Sequence, residues 1–155
     1  MKAIVYNGIK DVDVENVADP KIEKGDDIIV KVTSTAICGS DLHLIHGMIP
    51  NMPKGFTLGH ETMGIVEEVG PEVKKIKKND RVIVPFPVAC GHCYQCMHEN
   101  YSQCDNSNQY GEVGGILGYS NTLGGYQGGQ AEYLRVPYAN VGPRIVPEEL
   151  KDEQV

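Results

Sequence analysis

Apolar and polar residues alternate along this chain in short runs separated by turn-forming residues. Lys2 to Tyr6, Val12 to Val17, Asp27 to Thr35, Met63 to Val69, Arg81 to Pro85 and Ala131 to Val136 carry the two-residue period or β-branched content of strands. Asn7-Gly8, Lys24-Gly25, Gly70-Pro71 and Lys78-Asn79-Asp80 mark turns between them. The pattern predicts a mainly β barrel or sandwich. Ser40 to His46 predicts a short helix, and Glu148 to Val155, following Pro147, predicts the start of a second. That second helix has no terminating glycine, so the sequence reads as part of a longer protein.

Length and composition narrow the picture. At 155 residues and 41% hydrophobic content the chain suits one compact core. Glycine is frequent, at 18 residues, and tryptophan is absent, which favours short strands and tight turns over a helical bundle. With 21 acidic and 14 basic residues the net charge is −7, which opposes binding to phosphate backbones, so nucleic acid is not an expected partner. The longest nearly apolar run, Val82 to Cys90, is interrupted by Pro85 and Pro87, whereas a membrane helix needs about 20 residues. Membrane insertion is not expected. The first residues reach Asn7 and Gly8 before a signal-type stretch could form, and a cytoplasmic protein is expected. Lys74, Lys75, Lys77 and Lys78 read as a solvated face. From Gly111 to Gly129 eight of nineteen residues are glycine, without the offsets of a dinucleotide fingerprint, and this stretch reads as a flexible loop near the substrate cleft.

The strongest chemical signal is Cys90-Gly-His-Cys93-Tyr-Gln-Cys96, followed after seven residues by Cys104. Four thiolates on a short segment can enclose one ion tetrahedrally and leave no open position, the mark of a structural zinc. No Lys or Arg lies between Arg81 and Arg135, so a metal ion is the available countercharge. The first three spacings equal those of bacterial ferredoxins, which keeps an iron–sulfur carrier as a rival, although the fourth cysteine is displaced and precedes Asp105 rather than proline. His92 and His98 read as loop residues, not as replacements for a sulfur.

A second constellation comprises Cys38-Gly-Ser40-Asp41-Leu-His43 and Gly59-His60-Glu61. Sulfur, imidazole and carboxylate are the ligand types of a catalytic zinc, which uses three protein ligands and keeps one position open. Asp41 can orient the His60 imidazole. Ser40 can place a hydroxyl beside the metal, with His43 one helical turn away as a proton acceptor.

With Gly64-Ile-Val-Glu-Glu-Val-Gly70 and Asn79-Asp-Arg-Val82, these motifs stand in the order of one family. The sequence resembles the amino-terminal, GroES-like catalytic domain of the medium-chain, zinc-dependent alcohol dehydrogenases. Gly124-Gly-Tyr-Gln-Gly-Gly-Gln-Ala-Glu-Tyr133 looks most like the formaldehyde-dehydrogenase-like branch, although Asn140 stands where relatives often have aspartate. The resemblance covers residues 1–155 and implies a partly open GroES-like β-barrel with short helices and a zinc lobe at about 88–106. It implies a catalytic zinc on Cys38 and His60 with Glu61 adjacent, and a structural zinc on Cys90, Cys93, Cys96 and Cys104. Ser40 and His43 match the proton-relay positions. A third catalytic-zinc ligand and the Rossmann domain for NAD or NADP are expected beyond Val155, so residues 1–155 alone are expected to be inactive. The implied substrate is a small alcohol or aldehyde, and the implied assembly a homo-oligomer. A non-catalytic, zinc-stabilised GroES-like binding module is the alternative, but such a module has no evident need for Cys38, Ser40, His43 and His60 together.

Overall fold

A computed structural model describes residues 1–111 and 113–155. Strands β1 (Lys2–Gly8) and β2 (Asp11–Asn16) form a hairpin, and β1 also pairs with the short β4 (Phe56–Thr57). A five-stranded antiparallel sheet has the order β10 (Arg144–Ile145), β6 (Arg81–Val84), β5 (Thr62–Val69), β3 (Ile28–Thr35) and β9 (Tyr133–Val136). The two sheets meet where Ala131, just before β9, bridges Ala3. There Ile4 N–H donates to the Gln130 carbonyl and Glu132 N–H to that of Lys2. The outcome is the expected partly open β-barrel.

The barrel forms because alternate residues of its strands are apolar. Ile28, Val30, Val66, Val82, Leu134 and Val136 point inward and make one buried cluster. All six strands read from the sequence are present, with ends displaced by a few residues. Strands β4, paired with β1, and β10, paired with β6, like β7 (Pro87–Val88) and β8 (Gly115–Ile116), which pair with each other, are two residues long and are set by distant partners rather than by local pattern.

Two expectations need correction. Residues 148–155 contain no α-helix, only a 3₁₀ turn at Asp152–Gln154. The segment is tied to the barrel instead: the Arg81 guanidinium donates to the carbonyls of Pro147 and Leu150 and pairs with Asp152 at 3.1 Å. The glycine-rich stretch is also not a free loop. Gly115 pairs with Val88, Leu117 N–H donates to the Phe86 carbonyl, and Gly118 N–H donates to that of Tyr126. Gly118 has φ +62°, and a β-carbon there would lie 2.0 Å from the Gly59 carbonyl oxygen. Its glycine content therefore permits close backbone packing rather than motion. Glu112 lies outside the described residues.

Candidate metal centre

Strand pairing creates the first site. Thr35 at the end of β3 stands opposite Thr62 at the start of β5, so the chain leaves one strand where it enters the other. Ala36 N–H and the Thr35 hydroxyl both donate to the Glu61 carbonyl, at 3.1 and 3.0 Å. Helix α1 (Gly39–Ile45) begins directly after Cys38 because Asp41, in its first turn, accepts the Cys38 backbone N–H at 2.8 Å. These constraints place one ligand atom each from Cys38, His60 and Glu61 within 4.8 Å of one another.

Asp41 is 1% exposed, and its Oδ1 lies 3.2 Å from His60 Nδ1. Neither atom has a hydrogen-bond partner elsewhere, so each faces only the other across this contact. Asp41 raises the His60 pKa to about 9 against the opposing effect of burial, with Cys38 adding to the rise. Hydrogen bonds from Ser40 hold the Cys38 thiol below its usual range, and His60 lowers it further. Metal-free, His60 favours the imidazolium beside Cys38. A cation can replace that imidazolium proton without disturbing Asp41, because His60 Nε2 faces away from Asp41 and lies 3.0 Å from Ser40 Oγ.

The donor set therefore fits a divalent metal of zinc's type. Around it a cleft of about 480 Å³ is lined by Ala36, His60 and Thr62 and by the apolar side chains of Met63, Ile83 and Phe86. Phe86 and Tyr119 approach the His60 ring edge-on, with centroids 6.1 and 5.7 Å away. Among the described residues His43 makes no side-chain hydrogen bond; it stands exposed on α1, one turn beyond Ser40.

The second group is Cys90, Cys93, Cys96 and Cys104, again with ligand atoms within 4.8 Å of one another. A tetrahedral zinc with bonds of ~2.3 Å separates its sulfurs by about 3.8 Å, and Cys93 Sγ lies 3.9 Å from Cys104 Sγ. Helix α2 (Tyr94–Met97) starts at Cys93, whose sulfur accepts the Cys96 N–H at 3.4 Å. Cys90 N–H donates to Cys104 Sγ and the Asn106 amide to Cys90 Sγ, both at 3.3 Å. Burial opposes ionisation of Cys104, but the backbone N–H groups of Cys90 and Asn106 outweigh it and bring the pKa down to about 7. Cys96, dominated by burial, is pushed up to about 12. A bound cation would settle all four as thiolates.

His92 and His98 stay outside this cluster: His92 Nδ1 meets the Cys90 carbonyl at 3.0 Å and His98 Nδ1 that of Tyr94 at 2.8 Å. Sequence reasoning missed Phe86, Tyr119 and Gln130. Tyr119 stood inside a stretch read as a flexible loop, and nothing local marks the other two as neighbours of His60.

A partly open β-barrel with a Cys-His-Glu centre and a separate four-sulfur lobe defines a class. Residues 24–148 match the alcohol dehydrogenase GroES-like domain, and this chain belongs to that family. It is 62% identical over 152 residues to the zinc-type alcohol dehydrogenase-like protein AdhB of Bacillus subtilis strain 168, covering 98% of this chain and 40% of that protein. It is 42% identical over 145 residues to a glutathione-independent formaldehyde dehydrogenase of Pseudomonas aeruginosa, covering 90% of this chain and 36% of the relative. Alcohol dehydrogenase TADH from Thermus sp. ATN1 superposes with a TM-score of 0.91 at 41% identity, over 99% of this chain and 42% of that one. The chain thus spans about two-fifths of the length of these relatives and corresponds to their alcohol dehydrogenase GroES-like part.

Proposed function

We propose that residues 1–155 are the catalytic domain of a zinc-dependent alcohol dehydrogenase. The enzyme oxidises a primary or secondary alcohol to an aldehyde or ketone, and hydride passes to NAD or NADP held by a Rossmann domain outside this stretch. The observation that carries the reading is the convergence of Cys38, His60 and Glu61 at a partly apolar cleft, with buried Asp41 behind His60. Zinc bound there supplies Lewis acidity toward the alcohol oxygen.

The chain's own residues supply the rest. Cys38 and His60 hold the metal, Glu61 is the adjacent carboxylate, and a further ligand comes from outside residues 1–155. Asp41 keeps Nδ1 of His60 engaged, so that Nε2 is the nitrogen offered to the metal. Ser40 Oγ, 3.0 Å from that nitrogen, is placed to accept the alcohol proton as it gives up its own hydroxyl proton, for which exposed His43, one turn further along α1, is the acceptor that opens to solvent. Met63, Ile83 and Phe86 offer an apolar wall to the alcohol's carbon side. The four cysteines of the lobe hold a structural zinc and take no part in the chemistry. The family resemblance further supports a cytoplasmic homo-oligomer acting on small alcohols or aldehydes.

The test is alcohol-dependent reduction of NAD and NADP by the whole protein, before chelation, after chelation and after zinc is restored. Activity lost on chelation and recovered with zinc is expected. Turnover unaffected by removal of zinc from both sites would contradict the proposal.

A further inference from the structure

We propose that Gln130 is a positioning residue for the Cys38–His60 centre, clamping Asp41 and the two chain segments that carry the ligands. The inference rests on the reading of Cys38, His60 and Glu61 as a metal site, and adds a residue that neither coordinates metal nor touches substrate.

Gln130 is polar yet only 5% exposed, and its side chain reaches into the gap between three site segments. Its Nε2 lies 3.3 Å from Asp41 Oδ2 and 3.3 Å from the Ala36 carbonyl oxygen, two residues before Cys38. Asp41 Oδ2 also accepts the Cys38 N–H, at 2.8 Å. One carboxylate oxygen is thereby fixed by two donors while the other faces His60 Nδ1. On its opposite side Gln130 lies over Gly59, immediately before His60. Gly59 has φ +104°, and a β-carbon there would stand 2.4 Å from Gln130 N and 2.6 Å from its Cγ. Gln130 N–H donates to the Leu58 carbonyl and Gly129 N–H to that of Gly59, so this backbone is held in register with the His60 segment.

A buried carboxylate turns unless its oxygens are held, and a turned Asp41 frees the His60 ring. Gln130 is the side-chain donor that opposes this rotation. It comes from the last part of the barrel, and so couples closure of the barrel to the geometry of the ligands.

The experiment is a zinc titration against a chromogenic chelator for the wild-type protein, His60→Ala, Gln130→Met and Gln130→Glu, each with its thermal unfolding midpoint. Loss of one binding phase in His60→Ala identifies the Cys38–His60 site. Gln130→Met, close in shape but without the donor, is expected to weaken zinc at that site about tenfold while the four-sulfur phase and the midpoint stay at wild-type values. Gln130→Glu keeps the side-chain length and sets a carboxylate against Asp41, so it should weaken the same site at least as much. If Gln130→Met loses both phases and fails to fold, Gln130→Glu decides. Wild-type zinc affinity at the Cys38–His60 site in the folded Gln130 variants would overturn this inference and leave the metal site standing. Identical titrations of wild type and His60→Ala would remove the metal site itself, and the inference with it.

Discussion

At the residue scale the contacts concentrate on His60, because Asp41, Ser40 and Cys38 all meet its ring. In chelator-stripped protein its pKa is raised to about 9, chiefly by Asp41. A raised folded-state pKa means the Asp41–His60 attraction stabilises fully below the unfolded value near 6.5 and is lost as pH rises through about 9. Denaturant unfolding of stripped wild type and Asp41→Asn should therefore differ most at pH 6 and progressively less toward pH 10. A difference that does not change with pH would show that Asp41 acts on stability by another route. Proton transfer belongs to the same scale. His43→Gln in the whole protein should leave zinc content unchanged and slow alcohol oxidation, most strongly at pH 6, where proton release is least favourable. An unaltered pH–rate profile would remove His43 from the relay. Cys38, His60 and Asp41 were legible from residue type and spacing. Gln130 was not: its contacts to Ala36 and Asp41 span about ninety positions of sequence and exist only once the barrel closes.

At the scale of elements, the four-cysteine lobe stands apart from the barrel strands. Its buried cluster is Ala89, Cys90, Cys93, Cys96 and Cys104, with Tyr138 and Val141 packed against it, so few apolar side chains hold it without metal. Bound zinc contributes on the order of 10 kcal/mol to such a lobe. Cys93→Ser and Cys104→Ser should each lose one zinc per chain and become more susceptible to proteolysis between β7 and β8. Unchanged zinc in both variants would contradict a structural metal site. Spacing alone revealed this lobe, because its four cysteines are close in sequence. The glycine-rich segment misled for the opposite reason: glycine content signals freedom, whereas here the backbone of Gly118 packs on Gly59 and Tyr119 is delivered to the His60 ring. Gly118→Ala, strained by its positive φ and by that contact, should cost roughly 1–3 kcal/mol and be detected by equilibrium unfolding. An unchanged stability would show that the segment yields more readily than its packing indicates.

For the whole molecule, the antiparallel barrel explains why sites dispersed in sequence coincide in space. The β3–β5 register puts Cys38 beside His60, and bridging of Ala131 to Ala3 brings Gln130 behind them. The strands were readable because inward positions alternate. The closure was not, since its shortest strands, β4, β7, β8 and β10, are defined only by their partners. The terminal segment shows the same limit: its helical pattern yields to the Arg81 contacts with Pro147, Leu150 and Asp152. Among the described residues no helix is long and apolar enough to cross a membrane. Two metal sites on one barrel, one for chemistry and one for the lobe, form the central claim. Its most direct test is zinc content together with alcohol-dependent nicotinamide reduction in the whole protein carrying His60→Ala. The four-sulfur zinc should remain while the other zinc and nearly all turnover disappear; full zinc occupancy with the wild-type rate would contradict the claim.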